Sequence, residues 1–489
     1  MKRNIQLIII GSLLLTALNG CKESTLDVPT PPIVSVPVTV VGTLLVAPSP
    51  GNLSTVEHIK ESGDYIVEVK RPSETSYTKV FVYKTDNYFS GRNPFNIGGR
   101  SQTAASFTNF SFSETSVDVR ITSTFTAKSA IIRPLSDGVN FQLSGNVVTF
   151  SLTEPKKLSI EINGRTNPLF IFADAPDVPN TSATFYYPAG VHNIGKNKPI
   201  ASGQSVYIAA GAVVEGSFNI AFGAQNVSIR GRGILSNGEW EFPTSLGYTD
   251  MQSASTIRNI GSNNTLIEGI MITNSTGWTL QMESYDGTIT NAQYRNLKLI
   301  NWNISTDGIW LDGINTIVDD CFIFNNDDMM TTHQSTNCKV TNMVLWGGAY
   351  GNMFMQMSFK SSNGIVYDNI DVIGKEDTHG AQLIEIINGG TRAISIDNVT
   401  FKNIRIENRK STNSKFLGIE PKNQTLNNWL FENISIDGAN ADEGDIHGTA
   451  TGLINNFTFR NLKLNGVKVN SLSEARIDIN GFVSNVKFE

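Results

Sequence analysis

The sequence predicts an all-β protein in two parts, an N-terminal β-sandwich followed by a right-handed parallel β-helix. Three observations predict it. From about residue 45 to 180, short runs alternate apolar and polar residues between polar turns: DYIVEVKR, YTKVFVYKT, ASFTNFSFS, SVDVRIT, SAIIRPL, NVVTFSL, KKLSIEIN and PLFIFAD. Alternation with period two is the signature of strands with one buried face, and so many in succession argue an antiparallel sandwich. After YYPAGVHNIG (186–195) a motif of the form x-N-(I/L)-x-(I/L) recurs, as EGIMI at 268, RNLKL at 295, DCFIF at 320, TNMVL at 341, DNIDV at 368, KNIRI at 402, ENISI at 432 and RNLKL at 460. Its second positions step by 21–34 residues, the period of a solenoid whose coils bury their inward side chains against the coils above and below. Third, the repeat carries neither the LxxLxLxxN frame nor helical backs, which excludes a leucine-rich horseshoe and leaves the parallel β-helix. Recurrent Asn suits a tight turn, because its side chain can bond its own backbone and its stacked neighbour.

The chain therefore reads as a leader over 1–20, a tether over 21–44, a sandwich over 45–185 and a β-helix over 186–489. The leader is a basic MKR, an apolar IQLIIIGSLLLTAL and a closing LNGC, the pattern of a lipoprotein signal cut before Cys21, whose thiol then takes the lipid. Lys22 and Glu23 follow the cysteine, and the lack of Asp there favours an outer-membrane lipoprotein of a Gram-negative cell envelope, facing the periplasm or the cell surface. Residues 22–44 are rich in Pro, Val, Ser and Thr and read as an extended tether.

Charge is sparse, at 17% of residues with a net −6, so neither nucleic acid nor an anionic membrane surface is an expected partner; the membrane is met only through the lipid, and a monomer is expected. Cys321 and Cys338 are 17 residues apart with no second pair, so a cysteine metal site is not expected, and buried free thiols stand beside a disulfide as readings.

Against this background the stretch STDGIWLDGINTIVDDCFIFNNDDMM (305–330) places Asp307, Asp327 and Asp328 in an apolar run without a basic residue. Asp307 and Asp328 are 21 residues apart, the same as the coil step from 321 to 342, so the two should stack on neighbouring coils roughly 4.8 Å apart. Three carboxylates on one surface repel, and at least one should keep a proton near neutral pH. A protonated acid beside ionised bases is what cleavage of a glycosidic bond by water requires. Asp312, Asp319 and Asp320 are read as turn residues. A Ca²⁺ site of carboxylates, as pectate lyases of this fold use, is the competing reading, but such a lyase needs a basic residue to take the substrate proton, and 301–338 contains no Lys or Arg. No cofactor and no required metal are expected.

STDGIWL followed by NNDDMM resembles the NTD…DD pattern of the β-helix glycoside hydrolases, the clan of polygalacturonases and dextranases. The polygalacturonase family continues with a Gly-His-Gly and an Arg-x-Lys; this chain has GGAYG at 347–351, with Tyr350 for the His, and QLIEIING at 382–389, with Glu385 where a base would stand. It is closer to the dextranase and isopullulanase group, glycoside hydrolase family 49, in its sandwich before the β-helix, in the junction LFIFAD…FYYPAGVHNIG…GQSVYIAAGAVVEG (169–216), and in VLWGGAYGNMFMQM (344–357), where the family places an aromatic and a Gln-Met near the sugar. The resemblance implies an inverting hydrolase of a neutral α-glucan such as dextran, with Asp327 as general acid and Asp307 and Asp328 activating water. An inverting pair is expected to stand roughly 6.5–9.5 Å apart. Trp278, Trp302, Trp310, Trp346 and Tyr350 are candidate sugar platforms, and His333 and Gln356 candidate hydrogen-bonding groups. A pectin hydrolase and a non-catalytic glycan-binding β-helix remain as alternatives.

Overall fold

The computed structural model describes residues 42–85, 104–238, 248–284, 289–301, 303, 305–348, 350–375, 382–386, 393–407, 409 and 414–489. The lipidation site Cys21, the leader, nearly all of the tether and the platform candidate Trp302 lie outside the described residues.

Each alternating run of the first part contributes a strand. Four of these strands and Phe141–Ser144 form one antiparallel sheet, in the order Thr78–Val80, Tyr65–Lys70, Val117–Ser123, Val147–Leu152 and Phe141–Ser144. The facing seven-stranded sheet centres on Ser106–Phe112 and Leu169–Asp174, which pair in parallel. Val117–Ser123 buries alternate residues only, whereas Leu169–Asp174 is buried throughout. The difference is positional: the seven-stranded sheet is covered on both faces. Leu169 and Ile171 join the sandwich core, while Phe170 and Phe172 point the other way into a second core with Phe322, Phe324 and Trp346 of the β-helix. Buried ion pairs cross the same seam, Lys298–Asp174 at 2.8 Å and Arg133–Glu407 at 2.5 Å.

The last sandwich strand ends at Asp174 and the first strand of the solenoid is Phe185–Tyr187. From there to Lys487–Phe488 the strands form one sheet system of parallel pairings, apart from a small antiparallel hairpin at Lys463–Leu464 and Val467–Lys468. Inward side chains stack in register from coil to coil. One such column is Tyr367, Phe401, Phe431, Phe459 and Phe488, with successive ring centroids 4.7–5.5 Å apart and planes within 19° of parallel. The Asn of the repeat does what its chemistry suggests. Asn403, Asn433 and Asn461 each take φ between +52° and +54°, a left-handed backbone that only Gly, Asn and Asp adopt cheaply. Each side chain also donates to its neighbour, Asn433 to Asn403 at 3.0 Å and Asn461 to Asn433 at 2.9 Å. A second ladder runs through Asn363, Asn398, Asn428, Asn456 and Asn485.

One motif is shifted by a residue from its sequence reading. In DCFIF it is Asp320, with φ +55°, that takes the left-handed position, not Cys321, which is buried in the core. The strand there pairs Phe322 with Val344, an offset of 22. On the neighbouring face Ile309 pairs with Met330 and Trp310 with Thr331, an offset of 21, so the stacking expected of Asp307 on Asp328 holds. Cys321 and Cys338 are both free and buried.

Candidate active site

Residues 305–312 and 327–334 run along the outer face of neighbouring coils. The amide of Gly308 donates to the carbonyl of Asp328 at 2.8 Å, which sets Asp307 directly over Asp328. The amide of Met329 in turn donates to the carbonyl of Asn352 at 2.9 Å, placing Asn352 one coil further on. Beneath the Asp327–Asp328 peptide lies Gly351, where a Cβ would fall 1.8 Å from the Asp327 carbonyl carbon. One carboxylate oxygen each of Asp307, Asp327 and Asp328 lies within 4.8 Å of the other two.

Every carboxylate of the trio is anchored. Asp307 Oδ2 accepts from Trp310 Nε1 at 2.9 Å and from Thr331 Oγ1 at 3.2 Å. Asp328 Oδ1 accepts from the amide of Asn352 at 2.6 Å and from its Nδ2 at 3.0 Å. Asp327 accepts at one oxygen from the amide of Ser305 and at the other from that of Asp328. Asp307 and Asp328 are buried, and Asp327 is the most exposed of the three.

Burial raises the proton affinity of all three. Asp307 is pushed up to about 7, by burial first and by the Asp327 charge second, against the pull of the Trp310 hydrogen bond. Asp328 is raised well above the usual carboxylate range by burial and by the charges of Asp327 and Asp307. Asp327 is raised too, by burial, but its two backbone N–H donors and then the Lys375 charge pull it back. The three carboxylates are coupled, so the protons they hold belong to the set.

This has a consequence for stability. A carboxylate with a folded-state pKa near 7 keeps its proton where the unfolded chain, near ~3.9, has released it. Its contribution is thus fully present below about pH 4 and is lost as pH rises through about 7. Asp307→Asn keeps an acceptor for Trp310 and removes the charge. Its melting temperature should rise above that of the wild type at pH 8, with the gain vanishing at pH 4. Each pKa unit is worth about 1.4 kcal/mol, so the gain is bounded at roughly 4 kcal/mol. Thermal melts at the two pH values check it, and a difference that does not change with pH would refute the burial argument.

The trio forms one side of a pocket of about 280 Å³. Trp278, Trp310 and His333 line it, together with Glu283, Ser305, Asp312, Thr331, Gln334, Met357, Phe359 and Lys360. Trp278, Trp310, His333 and Phe359 form a continuous aromatic wall, with successive centroids 4.3, 4.2 and 5.3 Å apart.

Three candidates stand elsewhere. Trp346 is 1% exposed and lies in the seam under the sandwich, edge-on to Phe170 and Phe324 with the Arg165 guanidinium 4.4 Å from its ring, so it is packing and not a sugar platform. Gln356 pairs with Thr332 and Ile386, whose neighbours fill the interior, and it donates to Ser358 at 2.7 Å; it faces inward. Tyr350 is half-buried beside the acidic pair, its amide bonded to the Asn326 carbonyl, but it does not line the pocket. Asp312 is corrected in the opposite sense: it is 1% exposed and part of the pocket, not a surface turn. Lys360 reaches the pocket and Lys375 acts on Asp327, so the lack of bases in 301–338 did not describe the site. The nearest carboxylate oxygens of the trio come within 4.8 Å of one another, closer than the ~6.5–9.5 Å between the carboxyl groups of a separated inverting pair. Among the described residues two clusters, this trio and Asp445–His447–Asp478, have the donor chemistry to hold a cation.

The fold and the site together define a class, β-helix proteins with an N-terminal sandwich and an acidic outer groove. Among solved structures the chain is similar in fold to Dex49A from Penicillium minioluteum, which superposes with a TM-score of 0.67 over 91% of this chain and 96% of its own, at 18% identity. Two further matches are weaker, the catalytic domain of Agl-KA (TM-score 0.40, 14% identity, 91% of this chain and 87% of that one) and the family 28 exopolygalacturonase of Yersinia enterocolitica (0.36, 10%, 76% and 96%). No protein-family model matches the chain, and no curated protein matches it by sequence.

Proposed function

We propose that the chain is a glycoside hydrolase of the family 49 type that cleaves a neutral α-glucan with inversion. One observation carries the reading: three carboxylates within 4.8 Å of one another, all with raised proton affinity, flank an aromatic-walled pocket of about 280 Å³. Such a set holds a proton and a base at the same pH, which acid-assisted hydrolysis needs. The aromatic wall offers apolar faces to sugar C–H surfaces, and the anchored carboxylates hydrogen-bond the hydroxyls.

In the proposed reaction Asp327, the most exposed of the three, gives a proton to the glycosidic oxygen as the bond from that oxygen to the anomeric carbon breaks. The proton reaches Asp327 from Asp307 or Asp328. A water held by those two attacks the anomeric carbon and leaves its proton on them, which restores the set.

Five carboxylates line the pocket (Glu283, Asp307, Asp312, Asp327 and Asp328) against one ammonium, Lys360, so the local field disfavours a polyanion. Lys360 also motivates a second reading, in which it meets the carboxylate of a uronic acid chain. A panel of dextran, pullulan and polygalacturonate, with product anomers followed by NMR, decides. Release of β-anomeric products from an α-glucan is expected. Activity confined to polygalacturonate would overturn the substrate, α-anomeric products would overturn the inversion, and loss of activity in EDTA would favour a cation at the trio.

A further inference from the structure

The pocket has a second polar centre, on the far side of Trp310 from the trio. Trp310 pairs with Thr331 at an offset of 21, but Gly313 pairs with Ser335 at an offset of 22. Leu311 and Asp312 are therefore faced by three residues, Thr332, His333 and Gln334. An extra residue in a strand turns consecutive N–H groups and a side chain out of the ladder, and such irregularities re-aim side chains beside active sites. Here the freed donors converge on one carboxylate. Asp312 Oδ1 accepts from the amide of His333 at 3.0 Å and from that of Gln334 at 3.2 Å, while Oδ2 accepts from the amide of Ser284 on the preceding coil at 3.3 Å. The side chain of Asp312 is 2% exposed.

The residue so re-aimed is His333. Its ring is held between Trp310, at 4.2 Å, and Phe359, at 5.3 Å and 7° from parallel. Phe359 is brought there by a further lengthening of the next coil, where the offset grows from 24 at Thr332–Gln356 to 27 at Thr336–Asn363. His333 Nδ1 lies 3.5 Å from Asp312 Oδ1 and has no hydrogen-bond partner at bonding distance, although the residue is only 6% exposed. The other titratable groups around the ring are Asp307, on which a His333 charge acts, and Glu283 and Lys360, which line the same pocket.

We propose that Asp312 is a positioning residue for His333, and that His333 binds a sugar hydroxyl at a subsite across Trp310 from the acidic trio. Asp312 holds the proton of the imidazole on Nδ1, which leaves Nε2 as the acceptor for the hydroxyl. Trp310 joins the two centres: its Nε1 donates to Asp307 while its ring packs on His333. The sugar-binding half of the proposal rests on the glycosidase reading above; the positioning half does not.

Two measurements on the full chain separate the halves. Nitrogen NMR of histidine-labelled protein at pH 8, with the His333 signal assigned by its loss in His333→Phe, should show the Nδ1–H tautomer in the wild type. Asp312→Asn should shift it toward Nε2–H. An unchanged tautomer overturns the positioning role, whatever Asp312→Asn does to the melting temperature. For binding, the Asp327→Asn protein is titrated with isomaltotriose and with trigalacturonate. Adding Asp312→Asn or His333→Phe should weaken whichever trimer binds by about tenfold, and the double variant should lose no more than either alone. Losses that add, or full affinity in His333→Phe, overturn the subsite. If neither trimer binds the parent protein, the glycosidase reading and the subsite both fall, and the tautomer alone decides whether Asp312 positions the ring.

Discussion

Asp327→Asn should lose ~10²–10⁴-fold in turnover on a natural glycan while keeping its affinity, since general acid catalysis contributes about that much. The substitution is nearly isosteric, and an amide oxygen still accepts from one of the two amides that Asp327 bonds, those of Ser305 and Asp328. The informative comparison is with Asp307→Asn and Asp328→Asn, which should fall as far, because the trio is proposed to act as a set. What separates the roles is the leaving group. Fluoride departs without a proton, so on an α-glycosyl fluoride the acid variant should recover to within about tenfold of the wild type, while a variant lacking the base should not. All three carboxylates have raised proton affinity and titrate as a coupled set, so the assignment is open to a clear reversal. Rescue of Asp328→Asn instead of Asp327→Asn by fluoride would make Asp328 the acid. Full activity of Asp327→Asn on a glycan would remove the acidic trio from the mechanism altogether.

The solenoid could be read because its rule is local and steric. A left-handed backbone excludes most side chains, so Asn recurs at the turn positions, and a β-helix repeats that turn once a coil. The same rule explains the one slip. Asp also tolerates that backbone, so DCFIF hides its turn at Asp320, one residue before the position that matched the other motifs. The stacking of Asp307 over Asp328 is independent of the slip, because the offset of 21 belongs to the two coils that carry them and the offset of 22 at Phe322–Val344 to the next pair of coils.

What could not be read was which side of the solenoid each outward residue faces, and what stands against it. Trp346 is outward from the coil, as a platform would be, but on the side covered by Phe170 and Phe172 of the sandwich. No local pattern carries that information, since the covering residues are more than 170 positions away. Asp312 failed for another reason. Asp before Gly is a common turn signal, and only the one-residue lengthening of the following coil converts it into a buried acceptor. That lengthening is present in the sequence as 22 residues from Gly313 to Ser335 against 21 from Trp310 to Thr331, but it has meaning only once the strands are paired. Lys360 was missed because bases were sought near the aspartates in sequence, and a solenoid brings its neighbours from one coil away.

Gly351→Ala should cost about 100-fold or more in turnover without touching a reacting group. The backbone of Gly351 is not left-handed, so conformation does not forbid a side chain there. Space does. A Cβ would lie 1.8 Å from the carbonyl carbon of Asp327, 1.9 Å from the amide nitrogen of Asp328 and 2.3 Å from the Asp327 oxygen. These are backbone atoms and cannot swing aside as a flexible side chain would. Either the two coils part or the Asp327–Asp328 peptide shifts, and a misplacement of ~1 Å at a catalytic group costs on the order of 10² in rate. Overpacking of this kind also lowers stability by about 1–3 kcal/mol, which thermal melts would register as a drop of a few degrees. Gly481→Ala is the matched control, because nothing lies within 4 Å of a Cβ there, and it should leave activity and melting temperature unchanged. The two classes of variant then fail differently. An Asp→Asn change at the trio removes charge from an intact geometry, so its activity loss should come with equal or greater stability at pH 8. Gly351→Ala keeps every charge and loses the geometry, so activity and stability should fall together at every pH. Should Gly351→Ala keep wild-type turnover, the close packing of this coil against the acidic pair is not what holds the carboxylates in place.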